Sequence, residues 1–217
     1  MADDLKYGYK GAEPTQSFGN NTGVFDPNDI NNLIADNKWT TFGQLELIHT
    51  ENASSVSSVE FKSSTGTLDL SYNVHFLTIN NFKPSNDNAQ LVSQVSSNDG
   101  SSYYANAYRF AYQQGTSGGT FGESRTNDFS YLRIIHTTGN ATNESGNGYC
   151  YFYNLGDSTK FSFQTTQQVC MTGTPELLMQ FGSGLFYPNA LVFNALKIYS
   201  SAGTFSATAS LYGIAES

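Results

Sequence analysis

The chain has 217 residues, 18 of them acidic and 10 basic, for a net charge of −8. The basic residues are scattered, so no cationic stripe exists for phosphates, and nucleic acid is excluded as a partner. No stretch approaches the ~18 apolar residues of a membrane-spanning helix, and Met1-Ala2-Asp3-Asp4 lacks the basic and apolar regions of a signal peptide.

Residues 1–41 read as an extended arm. Lys6-Tyr7-Gly8-Tyr9-Lys10-Gly11 has neither a strand nor a helix period. A short helix follows. Asp26 suits the N-cap, Pro27 suits the first helical position, and Ile30, Leu33 and Ile34 share one face. A helix of two to three turns is marginal alone and has to dock. Phe25, Ile30, Leu33, Ile34 and Trp39 are therefore the candidate residues for docking on a partner subunit.

From residue 42 onward only strands are expected. Phe42–Ile48, Ser57–Phe61, Val74–Ile79, Ala89–Val95, Tyr103–Tyr112, Phe129–Ile135, Tyr149–Tyr153, Lys160–Gln164, Leu177–Phe181 and Ala190–Phe193 all carry β-type patterns. Asn98-Asp99-Gly100-Ser101 predicts a tight hairpin turn. Gln113–Thr120 and Thr137–Gly148 read as loops, and Gly182-Ser183-Gly184 as a turn or bulge. Ala195–Ser200 and Leu211–Ile214 read as a closing hairpin around a turn at Gly203. Nine to eleven short, evenly spaced strands without intervening helices predict an all-β fold. The expected architecture is an antiparallel β-sandwich or jelly roll over 42–217, preceded by the arm.

Chemistry-bearing residues are sparse. His49, His75 and His136 show no metal-ligand spacing, and His75 reads as a core residue. No G-x-S-x-G is present. Glu46, Glu51, Glu60, Glu123, Asp128 and Glu176 read as surface acids rather than as a glycosidase pair. Cys150 and Cys170 read as reduced, buried thiols. No catalytic residue, metal or cofactor is expected. The tyrosines stand out. Strand alternation sends Tyr149, Tyr151 and Tyr153 outward and Cys150 and Phe152 to the core. With Tyr103 and Tyr108 they are candidates for an oligomer interface or for stacking on glycans.

Three segments carry a resemblance. Gly23-Val24-Phe25-Asp26-Pro27-Asn28-Asp29-Ile30, Gly43-Gln44-Leu45-Glu46-Leu47-Ile48-His49-Thr50-Glu51-Asn52 and the terminal Ser210-Leu211-Tyr212-Gly213-Ile214 resemble tailed-phage virion structural proteins. The resemblance implies a non-enzymatic virion component made in the host cytoplasm. A compact domain on a short arm suits a capsid cement, decoration or adaptor protein, a homotrimer whose partners are major capsid, portal/adaptor or tail proteins. The alternative is a tail or head fibre protein whose β-sandwich binds host glycans.

Overall fold

The structure is a computed structural model that describes residues 31–32, 45–187 and 189–215. The chain divides into two units, Met1–Gly43 and Gln44–Ser217. Asn31 and Asn32 are helical, inside the segment expected to be a helix. The docking candidates Phe25, Ile30, Leu33, Ile34 and Trp39 lie outside the described residues.

The second unit is built from twelve strands: β1 (Leu45–Val56), β2 (Ser58–Lys62), β3 (Val74–Pro84), β4 (Ala89–Ser96), β5 (Tyr108–Thr116), β6 (Phe121–Phe129), β7 (Leu132–Thr138), β8 (Gly146–Tyr153), β9 (Ser162–Met171), β10 (Leu177–Phe186), β11 (Ala195–Ser200) and β12 (Phe205–Ile214). They form an eight-stranded sheet in the order β1-β12-β3-β8-β9-β10-β5-β6 and a four-stranded sheet in the order β2-β11-β4-β7. Every pairing is antiparallel. Set aside β5, β6, β9 and β10, and the remainder reads β1-β12-β3-β8 over β2-β11-β4-β7. Successive strands of that remainder alternate between the sheets, except that β4 and β7 pair with each other in the small one, which is the double Greek-key wrap of a jelly roll. Two inserted hairpins, β5–β6 and β9–β10, join edge to edge and widen one sheet.

Period-two alternation builds the core. In β12, Phe205, Ala207, Ala209 and Leu211 are buried while the residues between them are more open, apart from Ser210. Leu77 and Ile79 of β3 and Cys150 and Phe152 of β8 face Phe61, Leu91, Leu196 and Ile198 of the small sheet across the interior. Burying each large side chain contributes about 1.5–3 kcal/mol relative to exposure.

Several expectations are corrected. The last two strands do not form a hairpin. β11 pairs with β2 and β4, whereas β12 pairs with β1 and β3, so the turn at Gly203 (φ 71°) carries the chain from one sheet to the other. The Asp99-Gly100 turn forms with positive φ at both residues, but it follows β4 of the small sheet and leads toward β5 of the large one. Gln113–Thr120 is not a loop. β5 runs to Thr116, and a whole strand, β6, follows after a short turn. Gly182-Ser183-Gly184 is neither a turn nor a bulge, because it pairs in register with β5 and β9 on both sides. Ala190–Phe193 is irregular. Phe193 instead donates its N–H to the Leu155 carbonyl.

The free edge of β7 is closed by side chains of the large sheet. The Arg133 N–H donates to the Tyr112 hydroxyl at 3.0 Å, and Gln164 Nε2 donates to the Arg133 carbonyl at 2.9 Å. Thr166 Oγ1 donates to the Ile134 carbonyl at 3.1 Å, and Cys170 Sγ to that of Thr137 at 3.4 Å. An exposed strand edge is a template for unwanted pairing, and here polar residues facing inward from β5 and β9 occupy it. Much of the buried polar chemistry of the chain is thus used structurally.

Candidate functional site: the outer face of the large sheet

The register fixes which side chains point away from the core. From β1 through β12, β3, β8 and β9 to β10, no outward side chain in the paired stretch before the β3 bulge is charged. Leu45, Leu47, Tyr149, Phe163, Val169, Leu177, Met179 and Phe181 stand there as exposed large hydrophobics. Uncharged polar residues such as Thr78, Thr165 and Gln167 stand between them, and monomeric proteins rarely leave so many large apolar side chains bare on one face.

Its centre is aromatic. Phe76 of β3 lies 4.7 Å from Tyr151, 5.7 Å from Tyr149 and 6.1 Å from Tyr212, centroid to centroid. Tyr151 stacks on Tyr153 at 6.3 Å. Polar tips are held in place, for Tyr149 donates to Gln167 Oε1 at 2.7 Å and the Tyr153 hydroxyl lies 3.3 Å from Thr165 Oγ1. Cys150 and Phe152 point into the core at 0% exposure, as alternation predicts.

The other two tyrosines do not belong to this stripe. Tyr108 is 1% exposed. It is a core residue whose hydroxyl accepts the Val95 N–H and donates to the Tyr104 carbonyl, so it cannot stack on a ligand or on a subunit. Tyr103 is half-buried against the small sheet, where Lys197 Nζ sits 4.1 Å from its ring centroid. Sequence reasoning missed Phe76, Tyr212 and Phe181. The first two alternate outward within strands that were recognised, so the signal was present.

At the far end of the same face the two inserted hairpins meet. Phe181 of β10 pairs with Gln113 of β5, which pairs with Glu123 of β6, in one row across three strands. The next row is Ser183, Ala111 and Arg125. Small side chains in the second row leave a groove of about 270 Å³, walled by Phe181, Gln113, Glu123 and Arg125. Glu123 and Arg125 pair at 3.5 Å, with both side chains well exposed. Such a pair contributes at most about 1 kcal/mol and is easily re-formed with a ligand.

Four of the other candidate acids have structural partners. Glu46 accepts the Tyr72 hydroxyl, whose pKa this bond raises to about 12. Glu60 pairs with Lys62 at 2.6 Å, and Glu51 lies 3.4 Å from His49. Glu176 accepts from Thr116 at 3.3 Å. Among the described residues, no group of three His, Cys, Asp or Glu side chains is placed to hold a metal, and no helix is long and apolar enough to cross a membrane. Both cysteines are free, and burial pushes both thiols up, that of Cys170 to about 11.

Two histidines are held neutral. Burial depresses His75, which lies 2.7 Å through Nε2 from the Asp69 carbonyl. Burial, and then the charge of Arg133, bring His136 down to about 4. The unfolded chain takes up these protons near pH 6.5, before the folded protein does. Stability is therefore full above about pH 6.5 and falls as pH drops toward 4, His136 alone contributing a loss of about 3 kcal/mol. Urea midpoints measured between pH 7.5 and 4.5 check this. His136→Asn is expected to flatten the slope, and an unchanged slope would refute the assignment.

Compared with protein-family models, curated proteins and solved structures, the chain matches none.

Proposed function

We propose that the chain is a non-enzymatic structural protein of a tailed-phage virion, a capsid cement, decoration or adaptor piece. It associates with copies of itself through the outer face of its large sheet and docks on other virion proteins by its N-terminal arm. The observation that carries the self-association is the uncharged aromatic face. The virion setting, and a homotrimer rather than another oligomer, come from the sequence resemblance alone.

Size supports the reading. Six strands at ~4.8 Å spacing and about nine residues at ~3.3 Å give a face of roughly 24 by 30 Å. That is about 700 Å², close to the ~800 Å² each partner contributes to a standard interface. The rings have few rotatable bonds, so packing them orders little, and aromatic anchors dominate such contacts.

Tyr151→Asp tests it. The residue points outward beside Phe76, so the charge enters the middle of the face without touching the core. The expected result is loss of the oligomer in light scattering, with the melting temperature of the isolated domain retained. A wild-type protein that is monomeric at high concentration would remove the proposal. A second reading, an appendage that binds glycans, is favoured by the groove across β10, β5 and β6.

A further inference from the structure

We infer that this groove is a binding site for a neutral saccharide ring, an inference that rests on the second reading above; its Phe181 wall lies at the β10 margin of the self-association face, so sugar binding and assembly are read separately. The site exists only because β10 and β5 pair. β5 and β6 are inserted between β4 and β7, and β10 belongs to the insertion between β8 and β11. Removing both insertions leaves the strand order of a complete jelly-roll wrap, so the hairpins are additions to the topology, although their side chains also close the β7 edge.

The lining matches a polyol. Phe181 is half exposed at one wall and offers an apolar ring for the C–H face of a sugar. Gln113 and Glu123 follow it in the same cross-strand row, and Arg125 stands two residues on from Glu123 along β6, in the next row. An amide, a carboxylate and a guanidinium are planar groups that each engage two neighbouring hydroxyls at once. Ala111, which offers only a methyl on this face, makes the floor low enough for a ring to lie flat. The groove's volume, about 270 Å³, falls just below the usual range for drug-sized ligands and suits one ring of a longer chain.

Charge selects against other ligands. Glu123 and Arg125 cancel, so the groove favours neither anion nor cation. A second copy of this chain would find two exposed charges here, unlike the neutral surface from β1 to β10. One ring on one aromatic binds only at about millimolar strength. An oligomer that presents several grooves together raises the effective affinity by orders of magnitude without any new contact.

The test uses the full chain with cellohexaose, maltohexaose and mannohexaose as probes, read by saturation-transfer NMR at millimolar sugar. At least one is expected to receive saturation at its ring C–H protons. Phe181→Ala is expected to weaken that signal about tenfold, and Glu123→Gln or Arg125→Gln to weaken it as well. Ala111→Phe, which fills the floor, is expected to abolish it. Tyr151→Asp is expected to leave per-subunit binding intact, so loss of self-association and loss of sugar binding are separate results. Failure of all three probes to bind would overturn the inference. So would binding indifferent to Phe181→Ala, or binding seen only with the dissociated Tyr151→Asp variant, which would make the groove part of the subunit interface.

Discussion

Phe152→Ala is expected to destabilise the domain by about 3–5 kcal/mol, a large share of the roughly 5–15 kcal/mol that holds an ordinary domain folded. Phe152 sits in the middle of β8 at 0% exposure and belongs to the hydrophobic cluster that fills the space between the sheets. Its strand is held by β3 on one side and β9 on the other, so the backbone cannot close over the lost ring. The neighbouring residue gives the contrast. Tyr151→Asp lies one position away, on the other face, and costs assembly rather than folding. Urea unfolding of the two variants side by side checks this. Equal loss of stability in both would mean that the outward face is part of the core and that the alternation in β8 has been misassigned.

Gly182→Ala is expected to have the second large effect, about 4 kcal/mol or more, which marks it among the severe single substitutions. Gly182 lies mid-strand in β10 with its missing side chain aimed inward. A Cβ there would meet the Ala111 carbonyl oxygen and would stand 2.7 Å from the Tyr112 Cα and 2.6 Å from Cδ1 of its ring. These are backbone atoms of the paired strand and a ring whose hydroxyl is bonded to β7. Nothing there can move without undoing the β10–β5 pair or releasing the β7 edge. Thermal melts and the amide exchange of β7 report both. Retention of wild-type stability would show that the ring can swing away and that the edge does not depend on it.

The fold was legible where one face of a strand is buried and the other is not. Tyr149–Tyr153 is the clearest case, because rings and apolar residues alternate and the core takes the apolar set. β6 was illegible for the opposite reason. Phe121–Phe129 pairs with β5 only, its inward positions are half-covered, and its sequence is polar on both faces. Pattern reading sees only burial, so an edge strand of this kind passes for a loop. Ala190–Phe193 failed in the other direction. Apolar residues there pack onto the sandwich from an irregular segment, and periodicity cannot separate that from a strand. The crossing between β11 and β12 was also hidden, because a turn looks the same locally whether the next strand returns to the same sheet or enters the other one. The groove could not be read at all. Gln113 and Glu123 are unremarkable polar residues until pairing sets them beside Phe181.

The pairing of β1 with β12 and of β2 with β11 also decides when the protein can fold. Among the described strands, β1 pairs only with β12, and β2 only with β11. β1 and β2 therefore wait on the ribosome for β12 and β11. The 148 residues between β1 and β12 and the 132 between β2 and β11 take roughly 7–30 s to synthesise at roughly 5–20 residues per second. Through that interval the nascent chain carries unsatisfied strand edges and the inward faces of half a sandwich. Contacts this distant in sequence make closure slow, and a nascent chain of this kind is a natural client for holding chaperones. Low growth temperature, which lengthens the tolerated wait by slowing aggregation, is the condition under which such a chain gives most soluble protein.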